Sequence, residues 1–317
     1  ISDLSAKNFT VDAGTIAFGD VAAFLALTSG TVTASVTATT LANLSAVTTI
    51  TETGHALALD ITDATVDAAA VNNLRAKTTG VVNVRATTIN GTASDVASIF
   101  EGQAAGTVTG VANETVVLSD TGTVLAADLN TIDGITNVAI DVTAVTGLSG
   151  TATAVNTAYA SAGLTGLANE AVTITGASSA AADITTANTN TTGVVTVNST
   201  TITGSLAEVT TLYAANTAGS VAGLGNEAIT LSDATITVAQ ANTVDALTTG
   251  AVTATISTND IDTLATLTGT GNAYTITVTD ASVSAANLIA LDAKTTGTIN
   301  VLSTAVTGTA SELSTVY

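Results

Sequence analysis

The chain is expected to fold as a repeat solenoid, a parallel β-sheet backed on its other side by short helices. Three observations carry that expectation. One apolar word returns twelve times along 317 residues. Each return opens with period-two alternation, and most close with a helix-start signal followed by a glycine turn. The arrangement is close to a leucine-rich repeat, with Ala or Thr where that pattern stacks Asn; a parallel β-helix is the alternative.

The word is apolar-x-apolar-x-x-small-x-apolar. Its second apolar residue falls at Val11, Val36, Ile61, Val84, Leu118, Ile140, Ile174, Val197, Leu231, Ile256, Val278 and Val301. Successive spacings are 25, 25, 23, 34, 22, 34, 23, 34, 25, 22 and 23 residues, so units of roughly 23 and 34 alternate in the middle. Residues 1–317 therefore read as one continuous solenoid of about twelve coils, truncated at both ends from a longer array.

Within a unit, "YTITVT" at 274–279 alternates and is β-branched, which predicts a strand. A small residue follows (Ala64, Thr87, Ala234, Ala281, Thr304), where neighbouring backbones are expected to approach closely. Thr92 with Asp95, Ser205 with Glu208 and Thr309 with Glu312 have capping-box spacing. Apolar pairs at helical spacing come next: Val96 and Ile99, Val209 and Leu212, Leu288 and Leu291. "TTG" turns at Thr78–Gly80, Thr191–Gly193, Thr248–Gly250 and Thr295–Gly297 end many units, with Gly expected to supply a positive φ.

The longer units carry an extra stretch before the next strand: "EGQAAGTVTGVANE", "ASAGLTGLANE" and "AANTAGSVAGLGNE". Each follows an aromatic, Phe100, Tyr159 or Tyr213, expected to cover the core beneath a small side loop. Tyr317 is the matching aromatic of a further unit. An aromatic platform for carbohydrate is the functional alternative.

"GTASELSTVY", "AGLTGLANEAVTIT" and "GLGNEAITLSD" resemble the repeats of very large secreted or cell-surface proteins of marine picocyanobacteria, from about Leu57 onward. The resemblance implies a surface, adhesion or motility-associated polypeptide and brings no catalytic residues with it.

Composition narrows function further. Net charge is -20, with Lys7, Arg75, Lys77, Arg85 and Lys294 as the cations, which argues against nucleic-acid binding. No apolar run reaches the ~20 residues of a spanning helix. There is no cysteine to form a disulfide.

Candidate chemistry is sparse. Asp63, Asp120, Asp233 and Asp280 recur two residues after the anchor. They are expected to cap turns by accepting nearby amides, with a Ca²⁺ site as the alternative. The pairs Asn113-Glu114, Asn169-Glu170 and Asn226-Glu227 precede strands; their recurrence argues against a singular glycosidase-like site. His55, the only histidine, is expected to be a solvated turn residue. Thr173, Thr196, Thr230, Thr255 and Thr277 form an outward Thr series of the kind some ice-binding solenoids carry. The resulting expectation is a non-enzymatic extracellular structural segment, a stalk, sheath or filament, whose partners are further copies of the same repeat. An adhesive module for glycans or ice is the alternative.

Overall fold

The computed structural model describes residues 4–45 and 54–317. It is built of several parallel sheets alternating with short helices, and it divides into two compact units. The first comprises residues 1–149 and 157–168, the second residues 150–156 and 169–317.

In the first unit a five-stranded parallel sheet runs in the order Phe9–Thr10, Val32–Ser35, Ala56–Ile61, Val82–Val84, Val108–Thr109. A second, three-stranded sheet pairs Thr65–Asp67, Thr88–Gly91 and Thr115–Leu118. Ile140–Asp141 pairs with Leu164–Thr165, and Thr123–Leu125 with Gly147, Leu148 and Ser149. Period-two alternation sends Leu57, Leu59 and Ile61 inward, each at most 1% exposed. Between strands lie helices such as Ala68–Arg75 and Ala93–Ala104, whose Val71, Leu74, Val96 and Ile99 close the core at helical spacing.

The second unit pairs Ala171–Ile174 with Val195–Val197 and that strand with Val221–Ala222. A six-stranded sheet runs Ser178–Ala180, Thr201–Gly204, Ala228–Leu231, Val252–Thr255, Ala273–Val278, Ile299–Val301. The expected helical pairs Val209 with Leu212 and Leu288 with Leu291 are buried on Leu206–Ala218 and Ala285–Asp292. The first of these helices is 13 residues long and ends at Gly219 in the left-handed conformation, φ 85°.

Strand register corrects two expectations. Ile61 lies opposite Val84, Ile174 opposite Val197 and Val278 opposite Val301, as the anchors predict. Leu118, however, lies opposite Gly91 rather than in the sheet of Val84. The extra stretches are also not side loops. Val108–Thr109 and Val221–Ala222 are strands that pair with Val82–Val84 and Val195–Val197. Val82 faces Val108 and Ile89 faces Val116, offsets of 26 and 27 residues. The spacing of 34 therefore arises because the anchor crosses from one sheet to its neighbour.

A related device shifts the pairing within a single strand. Ala56, Leu57 and Ala58 pair with the strand before them, whereas Leu59, Asp60 and Ile61 pair with the strand after. Ala273–Val278 divides its six residues in the same way. Each of these two strands is thus long enough for its first three residues to pair with one neighbour and its last three with the other, while the two-residue alternation along the strand keeps one face inward.

Candidate functional site

The recurring polar side chains are joined by hydrogen bonds that run from one strand-helix unit to the next. The four Thr-Thr-Gly turns and the Thr28-Ser29-Gly30 turn share one geometry. Thr78 Oγ donates to Leu57 O (2.7 Å), Thr191 Oγ to Glu170 O (2.7 Å), Thr248 Oγ to Glu227 O (2.6 Å) and Thr295 Oγ to Tyr274 O (2.8 Å). Thr28 Oγ donates to Lys7 O at 2.5 Å, the fifth bond spanning 21 residues. In every case the same Oγ accepts the amide of the glycine two residues on, at 2.9–3.0 Å.

The glycines of these turns do not have positive φ, which corrects the expected reason for their presence. A Cβ on Gly80, Gly193, Gly250 or Gly297 would fall well inside van der Waals contact with the carbonyl of Leu57, Glu170, Glu227 or Tyr274. Glycine is required because the backbone of one unit rests on that of the preceding one. A second clasp occupies the small-residue corner, where Thr87, Thr200 and Thr304 donate both N–H and Oγ to Ala64 O, Ala177 O and Ala281 O.

The four recurrent aspartates are helix caps. Asp63 Oδ2 accepts Leu41 N (2.5 Å), Asp120 Oδ2 accepts Ala93 N (2.7 Å), Asp233 Oδ2 accepts Leu206 N (2.6 Å) and Asp280 Oδ2 accepts Ile261 N (2.7 Å). Each carboxylate thus meets the first amide of a helix 19–27 residues upstream, not a neighbouring turn amide. The same helices carry their own N-caps, Thr40, Thr92, Ser205 and Asp260, which accept the third amide. Two of the orphan N–H groups at each helix start are satisfied, and negative charge sits where the helix dipole favours it. Ser205 with Glu208 and Thr309 with Glu312 form full capping boxes, and Thr237 with Gln240, a glutamine in place of the carboxylate, forms a third. Asp95 instead accepts the Thr92 hydroxyl at 2.7 Å. Among the described residues no group of three or more His, Cys, Asp or Glu side chains is placed to hold a metal ion.

The Asn-Glu words separate into different environments. Glu227 is 2% exposed, and its carboxylate accepts the Tyr213 hydroxyl (2.7 Å) and the Gly225 amide (3.0 Å). Burial, then the bond to Glu227, holds the Tyr213 hydroxyl well above the ordinary tyrosine value. Tyr213 therefore covers the core as expected, with its polar end serving a buried acid. In the first unit Phe100 offers no hydroxyl, and Glu114 is only partly buried, accepting the Asn113 amide at 2.8 Å. A cavity of about 320 Å³ lies between Asn198, Ser199, Thr200 and Gly223, Asn226, Glu227. Its buried Ser199 Oγ is bonded to Ser179 Oγ at 2.7 Å.

His55 is 4% exposed, which overturns the solvated-turn reading. Its Nδ1 accepts the Val32 amide at 3.1 Å, while its carbonyl accepts from Thr78 and Thr79. The outward threonines likewise do not form one series. Thr173 faces Thr196, which faces Ala222; separately, Thr203, Thr230 and Thr253 stand in a row in the second unit's large sheet.

Carboxyl electrostatics follow these partners. The Arg85 guanidinium holds Asp60 below the ordinary range, with Asn83 adding a bond of 2.9 Å. Bonds from Thr143, Thr263 and Thr309 lower Asp141, Asp260 and Glu312. Burial, with the charges of Glu101 and Asp120, raises Asp128.

Comparison with protein-family models, curated proteins and solved structures finds no match. Among the described residues no helix is long and apolar enough to cross a membrane.

Proposed function

We propose that this chain is a non-enzymatic structural repeat module, a β/α solenoid from an extracellular or cell-surface protein, serving as a stalk, sheath or filament segment. The observation that carries the reading is the Thr-x-Gly clasp, repeated five times with one 21-residue offset. A catalytic site is normally singular, whereas these polar groups recur and each is spent on holding neighbouring backbones together. Stability in such an architecture is a sum of nearest-neighbour terms, so the clasps are the interfaces of the array. A charge of -20 and the absence of cysteine suit a long surface in a salty medium without disulfides. Its partners on this reading are further repeats of the same kind.

Cryo-electron microscopy of the protein in its native cell-surface fraction tests the proposal. Density continuing past both ends with the repeat of the coils is expected. Isolated globular particles without continuing density contradict it.

The row Thr203, Thr230, Thr253 favours a second reading, an adhesive surface for glycans or ice. Binding on a glycan array, or thermal hysteresis abolished by substituting these three threonines, distinguishes it; blank results in both assays remove it.

A further inference from the structure

We propose that His55 is an acid-released clasp between two successive strands of the first unit. The Val32 amide donates to Nδ1, so the imidazole is neutral, with its proton on Nε2. Protonation places an N–H on Nδ1 facing the Val32 N–H, and a buried donor-acceptor pair becomes a donor-donor contact. Both groups are buried, so water does not replace the lost bond without opening the contact.

The second unit supplies the internal comparison. Asn272 precedes Ala273–Val278 as His55 precedes Ala56–Ile61. Asn272 Oδ1 accepts the Val252 amide at 2.7 Å, as Nδ1 accepts the Val32 amide. Its carbonyl accepts Thr296 N at 2.7 Å, as the His55 carbonyl accepts Thr79 N at 2.9 Å. One structural position is thus filled once by a residue that does not titrate and once by the chain's single histidine. Asn272 Nδ2 also donates to Asp245 Oδ1 at 2.7 Å, whereas His55 Nε2 has no hydrogen-bond partner among the described residues.

The charged residues on the elements that meet His55 are few. The strand Val32–Ser35 carries none, Lys77 precedes the Thr78–Gly80 turn, and Asp60 lies along the His55 strand in its pair with Arg85. Glu52 precedes His55 in a stretch outside the described residues. The Arg85 bond holds the Asp60 carboxyl below its ordinary range, so Asp60 stays charged between pH 7.5 and 5, a range in which histidine ordinarily titrates, and a change there at Val32 reports on the imidazole.

Amide hydrogen exchange on the full chain, read residue by residue by NMR and corrected for intrinsic rates, tests the proposal. At pH 7.5 the Val32 and Val252 amides are both protected. At pH 5 Val32 loses at least tenfold in protection and Val252 does not. His55→Asn, which copies the other unit, removes the pH dependence at Val32 while keeping its protection. Equal Val32 protection of the unsubstituted chain at both pH values overturns the proposal, as does a tenfold loss that persists in His55→Asn. A ¹⁵N-labelled imidazole whose Nδ1 carries the proton at pH 7.5 overturns it independently of any variant.

Discussion

Replacing Gly250 by Ala tests how closely one unit rests on the next. Gly250 has no positive φ, so a methyl group causes no intrinsic backbone strain. The cost lies in space: the new Cβ would stand 2.5 Å from the Glu227 carbonyl carbon and 2.8 Å from Ala228 N. These are backbone atoms with no rotamer to escape into, so the turn must move. Overpacking of this kind costs about 1–3 kcal/mol. The movement also stretches the Thr248 Oγ bonds to Glu227 O and from Gly250 N, each worth about 0.5–1.5 kcal/mol. A loss of about 2–4 kcal/mol is expected, measured by urea unfolding followed by circular dichroism. Gly122 is the control, since a Cβ there meets nothing within 4 Å and its φ is not positive. Gly122→Ala is expected to be neutral or to stabilise by up to about 1 kcal/mol. A Gly250→Ala protein as stable as Gly122→Ala refutes the reasoning, and with it the same account of Gly80, Gly193 and Gly297.

Tyr213→Phe removes a donor to a buried carboxylate and is expected to cost about 1.5–3 kcal/mol in urea unfolding. Tyr274→Phe removes a fully buried hydroxyl with no hydrogen-bond partner among the described residues and is expected to be neutral or stabilising. Asp233→Ala is expected to cost about 1–2 kcal/mol through loss of the cap on Leu206, with a melting temperature equally indifferent to Ca²⁺ and to EDTA before and after the change. Asp60 has its carboxyl lowered in the folded state, so its contribution is complete above the ordinary aspartate range and is lost as pH falls through the lowered value. Asp128 is raised and acts in the opposite sense: stability it contributes at low pH is lost as pH rises through its folded value. A carboxyl ¹³C titration is expected to place Asp60 below and Asp128 above the ordinary range, and Arg85→Ala to move Asp60 upward.

Much of this organisation is legible in the sequence because it rests on local rules. Alternation marks Ala56–Ile61 and Ala273–Val278, and Ser-x-x-Glu at 205–208 marks a helix start without knowledge of anything distant. What the pattern leaves out depends on contacts about twenty residues away. "VVLSD" at 116–120 has the same grammar as a first strand, yet Val116 faces Ile89 in the neighbouring sheet. Nothing local distinguishes a glycine chosen for φ from one chosen for space, so Gly250 and Gly219 look alike in sequence although only Gly219 is left-handed. His55 precedes a strand beside Gly54, which reads as an exposed turn; its burial follows from the Val32 amide of the preceding strand. The match of "TGHALAL" to "TGNAYTI" was the available signal, since Asn is a common backbone-bonding residue at such corners.

The aspartates carry the choice between scaffold and ligand site, and exchange at the helix-start amides measures it directly. The first amide of a helix normally has no intrahelical partner and exchanges rapidly. In this account Leu41, Ala93, Leu206 and Ile261 are protected in EDTA, and Asp233→Ala releases Leu206 while leaving the other three unchanged. Rapid exchange at Leu206 in the unsubstituted protein, or protection that appears only when Ca²⁺ is added, contradicts the assignment of these carboxylates as caps.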